Sequence, residues 1–411
     1  MRVLILSQYY FPEAVPKPHE LAEGLTAAGH QVSVLTGYPH YPGGVLADGY
    51  RLGLFKKERI RDIPVLRVFE LPYHSTRPLL RMANYLSFML SAPLGALFTA
   101  KPDVIYVWHP PLTIGVAAWL ISKIKRVPFV YDVQDIWGSF TVLSGMVSEG
   151  GMAIKLIRRL ERSIARRSSH TIVQTEAGRD YFVERGVAEK SISILPHWID
   201  EAAFGTDSSG DRDAIRAEFG WADRFIVLFA GNIGIVQGLE SVIEAARLMP
   251  AGIAKIVLMG DGTDRPRLAE IARRSNAGDR IEFIDRQPPE RMPAMMAAAD
   301  ALLVSLKRSE LTKFVVPSKT VAYLASGRPI LMAAGGASED LIRKADAGVV
   351  AEPENAAALA EAIERMQRMP ASELNRLGEN GRRFLLENLS KDEVMLKYIE
   401  LLRTVAAEWK K

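Results

Sequence analysis

The sequence predicts an α/β protein with two doubly wound domains, whose parallel sheets face each other across a cleft. Short apolar, β-branched runs alternate with longer helical patterns along most of the chain, as in βαβ units. The alternation begins again after a polar segment at residues 206–213, which has the composition of an exposed connector. The length of 411 residues suits two or three domains, because a domain commonly has roughly 100 to 200 residues.

Strands are predicted in both halves of the chain. Those of the first half are residues 3–6, 32–35, 65–69, 104–107, 128–132 and 171–174. Those of the second half are residues 225–229, 255–259, 280–284, 301–305, 329–332 and 348–350. The first helix is expected at residues 19–28, because Gly29 behind it suits a left-handed C-terminal position. We therefore place one domain at residues 1–200 and the other at residues 201–390.

The composition indicates a folded protein and excludes several classes. Hydrophobic residues make up 48% and charged residues 24% of the chain, close to ordinary globular values. With 52 Lys and Arg against 48 Asp and Glu, the net charge of +4 excludes a polybasic nucleic-acid binder. The absence of Cys excludes disulfides, Cys-type zinc sites and thiol nucleophiles. A single positive charge before a very short apolar run predicts no secretory signal.

One segment of the first half is apolar enough to contact a membrane. At residues 77–101 an apolar stretch lies between basic ends, although Asn84, Pro93 and Gly95 interrupt it. We expect an interfacial helix or helical hairpin on a membrane surface, and an ordinary packed helix pair is equally compatible with the sequence. Basic residues that could meet anionic lipid are Lys101, Lys123, Lys125 and Arg126.

A second segment, residues 152–167, is predicted to be a basic amphipathic helix. Its cations are Lys155, Arg158, Arg159, Arg162, Arg166 and Arg167. Either a solvated helix face or a contact with lipid or phosphate would explain them. Glu161 is expected to pair with Arg158 or Arg162.

Glycine-containing loops after two predicted strands of the second half indicate a phosphate site. Residues 230–234 (AGNIG) follow one strand, with Gln237 and Gly238 before the next helix, and residues 260–262 (GDG) follow the next strand. Glycines allow a ligand to approach the backbone, and helix N-termini favour phosphate. Tight turns alone would also explain both loops.

A third loop of the second half adds a cation. Ser318 is expected to cap the helix that follows it, and its hydroxyl could hold a phosphate oxygen. Lys319 stands in the first turn, where a cation opposes the helix dipole unless an anion is bound. The pair therefore favours an anion site over a plain helix cap.

Candidate groups for proton transfer follow strands of the first half. His109 (VWHPP) and the pair Asp132 and Asp135 (YDVQDIW) could face the cleft. His109 could equally be a loop residue, and Asp135 a helix cap. Residues 8–19 lack GxGxxG, so they are either a stiff, proline-rich connection or the wall of a substrate pocket. The DxD spacing at residues 211–213 lies in the polar connector, where we interpret it as solvated charge.

Several motifs, in this order, resemble the family-4 retaining glycosyltransferases of the GT-B fold, in particular a bacterial polysaccharide subgroup. The resemblance rests on FPEAVPKPHELAEGL, PPLTIGVAAWLISKIKRVPFVYDVQDIW, GNIGIVQGLESVIEAA, LMGDG and VPSKTVAYLASGRPIL. It implies two Rossmann-like domains and transfer of a sugar from a UDP-, GDP- or dTDP-sugar without metal or cofactor. The acceptor would be a glycan on a polyprenyl diphosphate, at the inner face of the cytoplasmic membrane. The first domain would hold the acceptor, the second the nucleotide, and a last helix at residues 391–411 would pack back on the first.

These motifs and the resemblance assign roles to individual residues. Asp135, His109 and Lys319 would be catalytic, the first two orienting the acceptor hydroxyl and Lys319 stabilising the departing diphosphate. The donor would be held by Gly231, Asn232, Gly234, Gln237, Gly260, Asp261, Gly262, Lys307, Ser318, Lys319 and Glu339. The acceptor would be held by Glu13, Lys17, His19, Trp108 and Trp137.

The sequence departs from the family pattern at several of its functional positions. Ala14 and Val15 replace a Gly-Gly pair, Asn232 and Gln237 replace an Arg and a Lys, and Phe314 and Ala322 replace paired glutamates. Candidate substitutes are Lys307, Arg308, Glu310 and Glu339. Two other functions stay open. One is a nucleotide-sugar 2-epimerase, which needs no acceptor, and the other is a non-catalytic, membrane-associated scaffold.

Overall fold

The computed structural model describes residues 1–13, 15–41, 43–73, 78–143, 147–204, 209–221, 223–252 and 254–410. Ala14, Arg77, residues 206–208 and Lys411, which belong to features predicted above, lie outside them. The chain divides into two compact units. Unit 1 comprises Met1–Leu195 and Met395–Lys411, and unit 2 comprises Pro196–Val394.

Unit 1 alternates strands and helices around one sheet. Its strands are β1 (Arg2–Ser7), β2 (Gln31–Thr36), β3 (Phe55–Ile60), β4 (Ile63–Val68), β5 (Val104–His109), β6 (Phe129–Val133), β7 (His170–Val173) and β8 (Ile192–Ile194). Its helices are α1 (Pro16–Ala27), α2 (Pro78–Ala96), α3 (Thr113–Lys125), α4 (Trp137–Leu143), α5 (Met152–Ala165) and α6 (Glu176–Val183). Among the described residues the strand order is β3-β4-β2-β1-β5-β6-β7-β8, parallel except for the pair of β3 and β4.

The central strands of unit 1 lie where the sequence predicts them, because burial on both faces gives them continuous apolar runs. The two edge strands, β3 and β8, are not predicted. β3 has the sequence FKKERI, and its side chains are exposed or half-buried in alternation, so no apolar run marks it. α1 begins at Pro16 rather than at residue 19, since proline is compatible with the first turn of a helix. As predicted, it is followed by Gly29 in a left-handed conformation, with φ +78°.

Unit 2 repeats the alternation. Its strands are β9 (Phe225–Ala230), β10 (Ala254–Met259), β11 (Ile281–Ile284), β12 (Ala301–Ser305), β13 (Ile330–Ala333) and β14 (Gly348–Val350). Its helices are α7 (Ser209–Glu218), α8 (Leu239–Leu248), α9 (Arg265–Arg274), α10 (Met292–Ala298), α11 (Ser318–Ala325), α12 (Ala337–Ala345), α13 (Ala356–Arg368) and α14 (Ala371–Asn388). The described strands pair in parallel in the order β11-β10-β9-β12-β13-β14. The predicted α/β class, with a doubly wound sheet in each half, is confirmed.

Apolar side chains cover both faces of the unit 2 sheet. Leu228 belongs to the core on one face, and its neighbours Val227 and Phe229 belong to the core on the other. This alternation along β9 is the period-2 pattern of a strand buried on both sides. The carboxyl ends of these strands are therefore held in fixed positions, and the loops that follow them are anchored.

The segment predicted to be an exposed connector, residues 206–213, overlaps the start of a helix. α7 begins at Ser209, inside that segment, and packs against α10. The guanidinium of Arg212 donates hydrogen bonds to the carbonyl oxygens of Ala297 and Ala299 and to Asp300. The prediction of an exposed, irregular link is therefore wrong from residue 209 onward, because these contacts hold the polar sequence in a helix.

A last helix, α15 (Lys391–Trp409), begins in unit 2 and continues into unit 1. In unit 1 the Tyr398 hydroxyl donates a hydrogen bond to a carboxylate oxygen of Asp132, at 3.1 Å. The sulfur of Met395 lies 2.7 Å from the position that a Cβ would take at Gly24 of α1. Residue 24 must therefore be small for this helix to pack as it does.

The apolar segment of unit 1 forms one helix, α2, with Pro93 inside it. The alternative of a helical hairpin is therefore wrong. α2 packs against α3 and against β4. Among the described residues, none of the helices combines the length and apolar character needed to cross a membrane.

Candidate functional site

The loops after β9 and β10 interlock at the carboxyl edge of the unit 2 sheet. The Ile233 amide donates to the Asp261 carbonyl at 2.8 Å, and the Asp264 amide donates to the Ile233 carbonyl at 3.0 Å. Gly260 has φ +140°, and a Cβ there would lie 1.9 Å from the Gly231 carbonyl oxygen. Only glycine fits this close approach. The two predicted glycine loops thus form a single surface.

Lys319 extends from the first turn of α11 to this surface. Its Nζ donates to the Gln237 side-chain oxygen at 2.9 Å and lies 3.8 Å from the centre of the Phe229 ring. A Cβ at Gly231 would lie 3.3 Å from the same Nζ. Burial lowers the pKa of Lys319 to about 7. An anion bound beside the group would raise that pKa again, so Lys319 is suited to gain its charge together with a ligand.

Tyr323 fixes α11 against the end of β9, and the sequence did not indicate it. Its hydroxyl accepts a hydrogen bond from the Ala230 amide at 2.8 Å and faces the Ala230 carbonyl at 3.3 Å. Ser318 is the first residue of α11, Pro317 is the cap residue, and no side-chain cap bond is made. The predicted cap role of Ser318 is therefore wrong, and its hydroxyl is exposed beside Lys319.

The remaining predicted donor residues differ in how they are placed. The Lys307 amide donates to the Val236 carbonyl, and its side chain lies against Gly238. Arg308 is bound instead to Glu352, so it is held away from the loops after β9 and β10. Glu339 lies in the first turn of α12 and pairs with Arg343, at 2.8 Å.

We call the group at the unit 2 edge the cradle. Its members are Gly231, Asn232, Gly234, Gln237, Gly260, Asp261, Gly262, Lys307 and Lys319. Of these, Gly231, Asn232 and Asp261 are exposed, so a ligand can reach the main chain between them.

In unit 1, Asp135 lies just beyond the carboxyl end of β6. It is partly buried, and among the described residues no hydrogen bond or ion pair to its carboxylate is found. Burial raises the pKa of Asp135 to about 6. It is not the helix cap, because the Trp137 amide donates to Glu161 at 2.7 Å instead. An unengaged carboxylate at a strand end is available to orient a hydroxyl.

Glu161 is buried and does not pair with an arginine as expected from the sequence. Its carboxylate accepts hydrogen bonds from the Trp137 amide and from the Tyr181 hydroxyl, at 2.7 and 2.6 Å. Glu161 lies on the buried face of α5 together with Ile154 and Ile164, whereas the side chains of Arg158 and Arg162 are exposed. Glu161 therefore joins α5 to the start of α4.

His109 is fully buried at the end of β5, with its ring against those of Tyr131 and Trp137. Burial lowers the pKa of His109 to about 3, so the ring is neutral. Neither ring nitrogen has a hydrogen-bond partner among the described residues. In this conformation the His109 ring packs against Tyr131 and Trp137, and its role toward the acceptor stays a prediction.

The residues predicted to hold the acceptor are all buried: Glu13, Lys17, His19, Trp108 and Trp137. Glu13 accepts hydrogen bonds from the amides of Tyr10, His40 and Tyr41, at 2.8 to 2.9 Å. Burial raises the pKa of Glu13 to about 7 in spite of these bonds. Glu13 thereby fastens the loop after β1 to the loop after β2.

Lys17 and His19, both in α1, are likewise turned inward. The Lys17 ammonium lies 6.0 Å from the centre of the Trp108 ring, and burial lowers the pKa of Lys17 to about 7. His19 Nδ1 shares a hydrogen bond of 2.8 Å with the Tyr10 hydroxyl. These side chains shape the loops after the strands instead of lining an open surface.

Two models of known protein families match the sequence. The model of a glycosyl transferase 4-like domain matches residues 16–198, and that of the group 1 glycosyl transferases matches residues 211–384. The chain belongs to the GT-B glycosyltransferases. The two matches cover most of both units, including the whole cradle.

Relatives and solved structures agree with this assignment. The glycosyltransferase is 28% identical to the colanic acid biosynthesis glycosyl transferase WcaI of Escherichia coli, over 98% of this chain and 100% of WcaI. It is 25% identical to the glycosyltransferase WbjE of Pseudomonas aeruginosa, over 75% and 76% of the two chains. The crystal structure of Anabaena HepE with UDP-glucose superposes with a TM-score of 0.76 at 18% identity, over 98% of this chain and 100% of HepE.

The glycosyltransferase also contains a buried polar network in unit 1 that the sequence did not indicate. Gln8 donates to Glu70 and to Asn84, at 2.9 and 2.8 Å, and Asn84 lies 3.1 Å from His40 Nε2. Burial raises the pKa of Glu70 well above its usual range. Gln8 and Glu70 directly follow strands, which is the only sequence signal that could have singled them out.

A second network surrounds Asp132 in β6 of the glycosyltransferase. Tyr106 and Gln134 donate hydrogen bonds to its carboxylate, at 2.5 and 2.6 Å, and Tyr398 of α15 does so at 3.1 Å. Burial raises the pKa of Asp132 to about 6. Asp132 is therefore engaged in packing, and Asp135 is the carboxylate of the pair that is free to act.

Proposed function

We propose that this glycosyltransferase moves a sugar from a nucleotide-sugar donor to a lipid-linked glycan during polysaccharide synthesis. The cradle of unit 2 carries the proposal, because it combines exposed main chain, a helix N-terminus and the Lys319 amine. Such a combination suits a diphosphate. The UDP-glucose in HepE and the role of WcaI in colanic acid biosynthesis support the same class of reaction.

In the proposed reaction the bond from the anomeric carbon to the diphosphate oxygen breaks. The bond to the acceptor oxygen forms on the same face, so the configuration is retained. The diphosphate gains negative charge as it leaves, and Lys319, protonated in its presence, stabilises that charge. Glu339 would accept hydrogen bonds from donor hydroxyls, and no metal is required.

Unit 1 contributes Asp135 to the proposed reaction. With a pKa raised to about 6 by burial, this carboxylate is ionised at neutral pH and is a better proton acceptor than an ordinary aspartate. It would orient the acceptor hydroxyl and accept its proton. The buried residues Glu13, Lys17, His19, Trp108 and Trp137 would hold the surrounding loops in place.

A membrane contact through unit 1 belongs to the proposal, since the acceptor is lipid-linked. α2 exposes a row of apolar side chains at helical spacing, Leu79, Met82, Leu86, Leu90 and Leu94. α2 packs against α3, and α3 packs against α5. Exposed cations on these neighbouring helices are Lys123, Lys155, Arg159 and Arg166. Apolar and cationic side chains on adjacent helices are what an anionic membrane surface binds.

A panel of nucleotides and nucleotide sugars tests the reaction. UDP, GDP or dTDP should raise the melting temperature of the full chain, because a ligand of the folded state stabilises it. Release of nucleotide that depends on a lipid-linked acceptor, unaffected by EDTA, with a retained anomeric configuration, supports the proposal. Isomerised donor without acceptor would show a 2-epimerase instead, and absence of any nucleotide binding would show a scaffold.

Vesicle sedimentation tests the membrane contact. The double variant Leu86→Glu/Leu90→Glu should lose binding to vesicles of phosphatidylcholine and phosphatidylglycerol, because two carboxylates would enter the interface. Leu396→Glu is the matched control, since Leu396 is an exposed leucine on α15 of the same unit. Equal binding by both variants would refute the contact through α2.

A further inference from the structure

A groove of about 800 Å³ lies at the opposite edge of the unit 1 sheet, at the amino ends of β1, β2 and β4. The groove lies at the amino ends of the strands, whereas Asp135 lies beyond a carboxyl end, so the groove has no part in the proposed reaction. Most of its surface is apolar, and exposed cations stand around it. Its position and chemistry need a separate explanation.

The groove exists because α2 covers only part of the sheet. A Cβ at Gly95 would lie 2.3 Å from Val68 and 3.2 Å from Leu35, so the end of α2 rests on the carboxyl halves of β4 and β2. Side chains alternate along a strand, so Leu66 and Ser33 lie on the same face as Val68 and Leu35. They form the floor of the groove, beyond the end of the helix.

One wall of the groove is aromatic and continues into the exposed row of α2. Phe98 packs against Phe55, with ring centres 5.1 Å apart, and the two side chains are 60% and 42% exposed. Leu94 and Leu97 are exposed at the same end of the helix. A membrane that touches α2 would therefore reach the mouth of the groove.

The charges around the groove are mainly positive. Its exposed cations are Arg2, Lys57, Arg59 and Lys101. The acidic lining residues are Glu58 and Asp62, and Glu58 is already paired with Arg67, whose side chain is buried. Lys57 lies on the same face of β3 as Phe55, since the two residues are two positions apart. Among the described residues neither Lys57 nor Lys101 has an ion-pair partner.

We propose that this groove binds one anionic phospholipid of the membrane. The acyl portion would lie against Leu66 and Phe98, and Lys57 and Lys101 would hold the phosphate. This inference rests on the proposed contact of α2 with a membrane. An apolar floor, an aromatic wall and a cationic rim suit an amphiphile with a negative head group, and they do not suit a neutral lipid or a free sugar phosphate.

Soluble short-chain lipids test the groove separately from the membrane. Dihexanoyl phosphatidylglycerol, as a monomer, should bind the full chain at one site by calorimetry, and dihexanoyl phosphatidylcholine should bind more weakly. Lys57→Gln/Lys101→Gln should reduce the affinity for the anionic lipid about fivefold for each cation removed. Lys190→Gln, an exposed lysine near β8 at the other edge of the sheet, should leave it unchanged.

The possible outcomes separate this inference from the proposed function. Leu86→Glu/Leu90→Glu should still bind the short-chain anionic lipid, although it no longer binds vesicles. If Lys57→Gln/Lys101→Gln binds that lipid as tightly as the unchanged chain, the groove assignment is overturned while the α2 contact stands. Competition by inorganic phosphate at equal concentration would also overturn it, because the site would then recognise phosphate without a lipid.

Discussion

The carboxyl edges of the two sheets are built in opposite ways. In unit 2 the main chain of Gly231, Asn232 and Asp261 is exposed, and a single lysine stands over it. In unit 1 the corresponding edge is filled by buried side chains: Glu13 accepts hydrogen bonds from amides in the loop after β2, and Glu70 accepts one from Gln8 in the loop after β1. One edge is shaped to receive a ligand, and the other is built to hold its own loops.

The two edges therefore use charged side chains for different purposes: ligand binding in unit 2 and the pairing of backbone amides in unit 1. In unit 2 the glycines remove side chains, so that amides and one cation remain for a diphosphate. In unit 1 the buried charged groups satisfy backbone amides that would otherwise be unpaired. Asp135 differs from these groups: burial raises its pKa to about 6, and no hydrogen bond or ion pair to its carboxylate is found in the part of unit 1 that the structure describes.

The largest effect is expected at Lys319. Lys319→Ala should reduce kcat for sugar transfer about 10²- to 10³-fold, because the departing diphosphate loses its stabilising charge. At pH 8 the unchanged protein should take up a proton when it binds a nucleoside diphosphate, since the pKa of Lys319, lowered to about 7 by burial, rises beside the ligand. Calorimetry in buffers of different ionisation enthalpy measures this uptake. Lys313→Ala, an exposed lysine of the same unit, is the control, and full turnover by Lys319→Ala would refute the role.

The next effect is expected at Asp135 in unit 1. Asp135→Asn should reduce kcat about 10²-fold, because the acceptor hydroxyl loses its proton acceptor. Burial raises the pKa of Asp135 to about 6, so activity should fall as the pH decreases through about 6. The variant should lack that limb of the pH profile. The control Asp180→Asn, on the exposed surface of α6, should still lose activity as the pH decreases through about 6. If Asp135→Asn also loses activity over that pH range, the titrating group is not Asp135.

A smaller effect is expected where the loops after β9 and β10 approach each other, at Gly231 and Gly260. Gly260→Ala should lower the free energy of unfolding by about 3 kcal/mol, because the residue has positive φ and its Cβ would meet the Gly231 carbonyl. Gly252→Ala should cost only about 1 kcal/mol, since Gly252 also has positive φ but faces open space. Urea denaturation compares the two, and equal losses would show that the two loops are not tightly packed there.

The smallest effect is expected at the contact of α15 with β6. Tyr398→Phe should lower the free energy of unfolding by about 1 kcal/mol, the usual contribution of one hydrogen bond. It should also raise the pKa of Asp132 above about 6, because the Tyr398 hydroxyl stabilises the carboxylate. Tyr73→Phe, an exposed tyrosine of unit 1, should change neither quantity. A stable Tyr398→Phe protein with an unshifted Asp132 would show that this bond contributes nothing.

The sequence predicts the central strands of both sheets and most of the cradle, since these features are local. A strand buried on both faces is an apolar run, and a glycine turn after it needs no distant partner to be recognised. Gly231, Gly260 and Lys319 belong to this class. Edge strand β3 is missed because its alternation involves charged residues on a half-exposed surface.

The buried edge of unit 1 is predicted less well because its contacts are distant in the chain. Glu13 bonds to amides of residues 40 and 41, and Gln8 bonds to Glu70 and Asn84. No local pattern distinguishes such a carboxylate from one that faces solvent. For the same reason the sequence predicts an arginine partner for Glu161, whereas its buried carboxylate accepts a hydrogen bond from the Trp137 amide.

The path of α15 has a consequence for the order of folding. Because Tyr398 and its neighbours complete the packing around Asp132, the earlier half of the polypeptide lacks part of its interior until the ribosome has translated the later half. Unit 2 is one continuous segment of the chain, Pro196–Val394, so its packing requires no segment that is translated after it. During synthesis the half made second can therefore reach its final state first, which reverses the usual N-terminal-first sequence of domain folding.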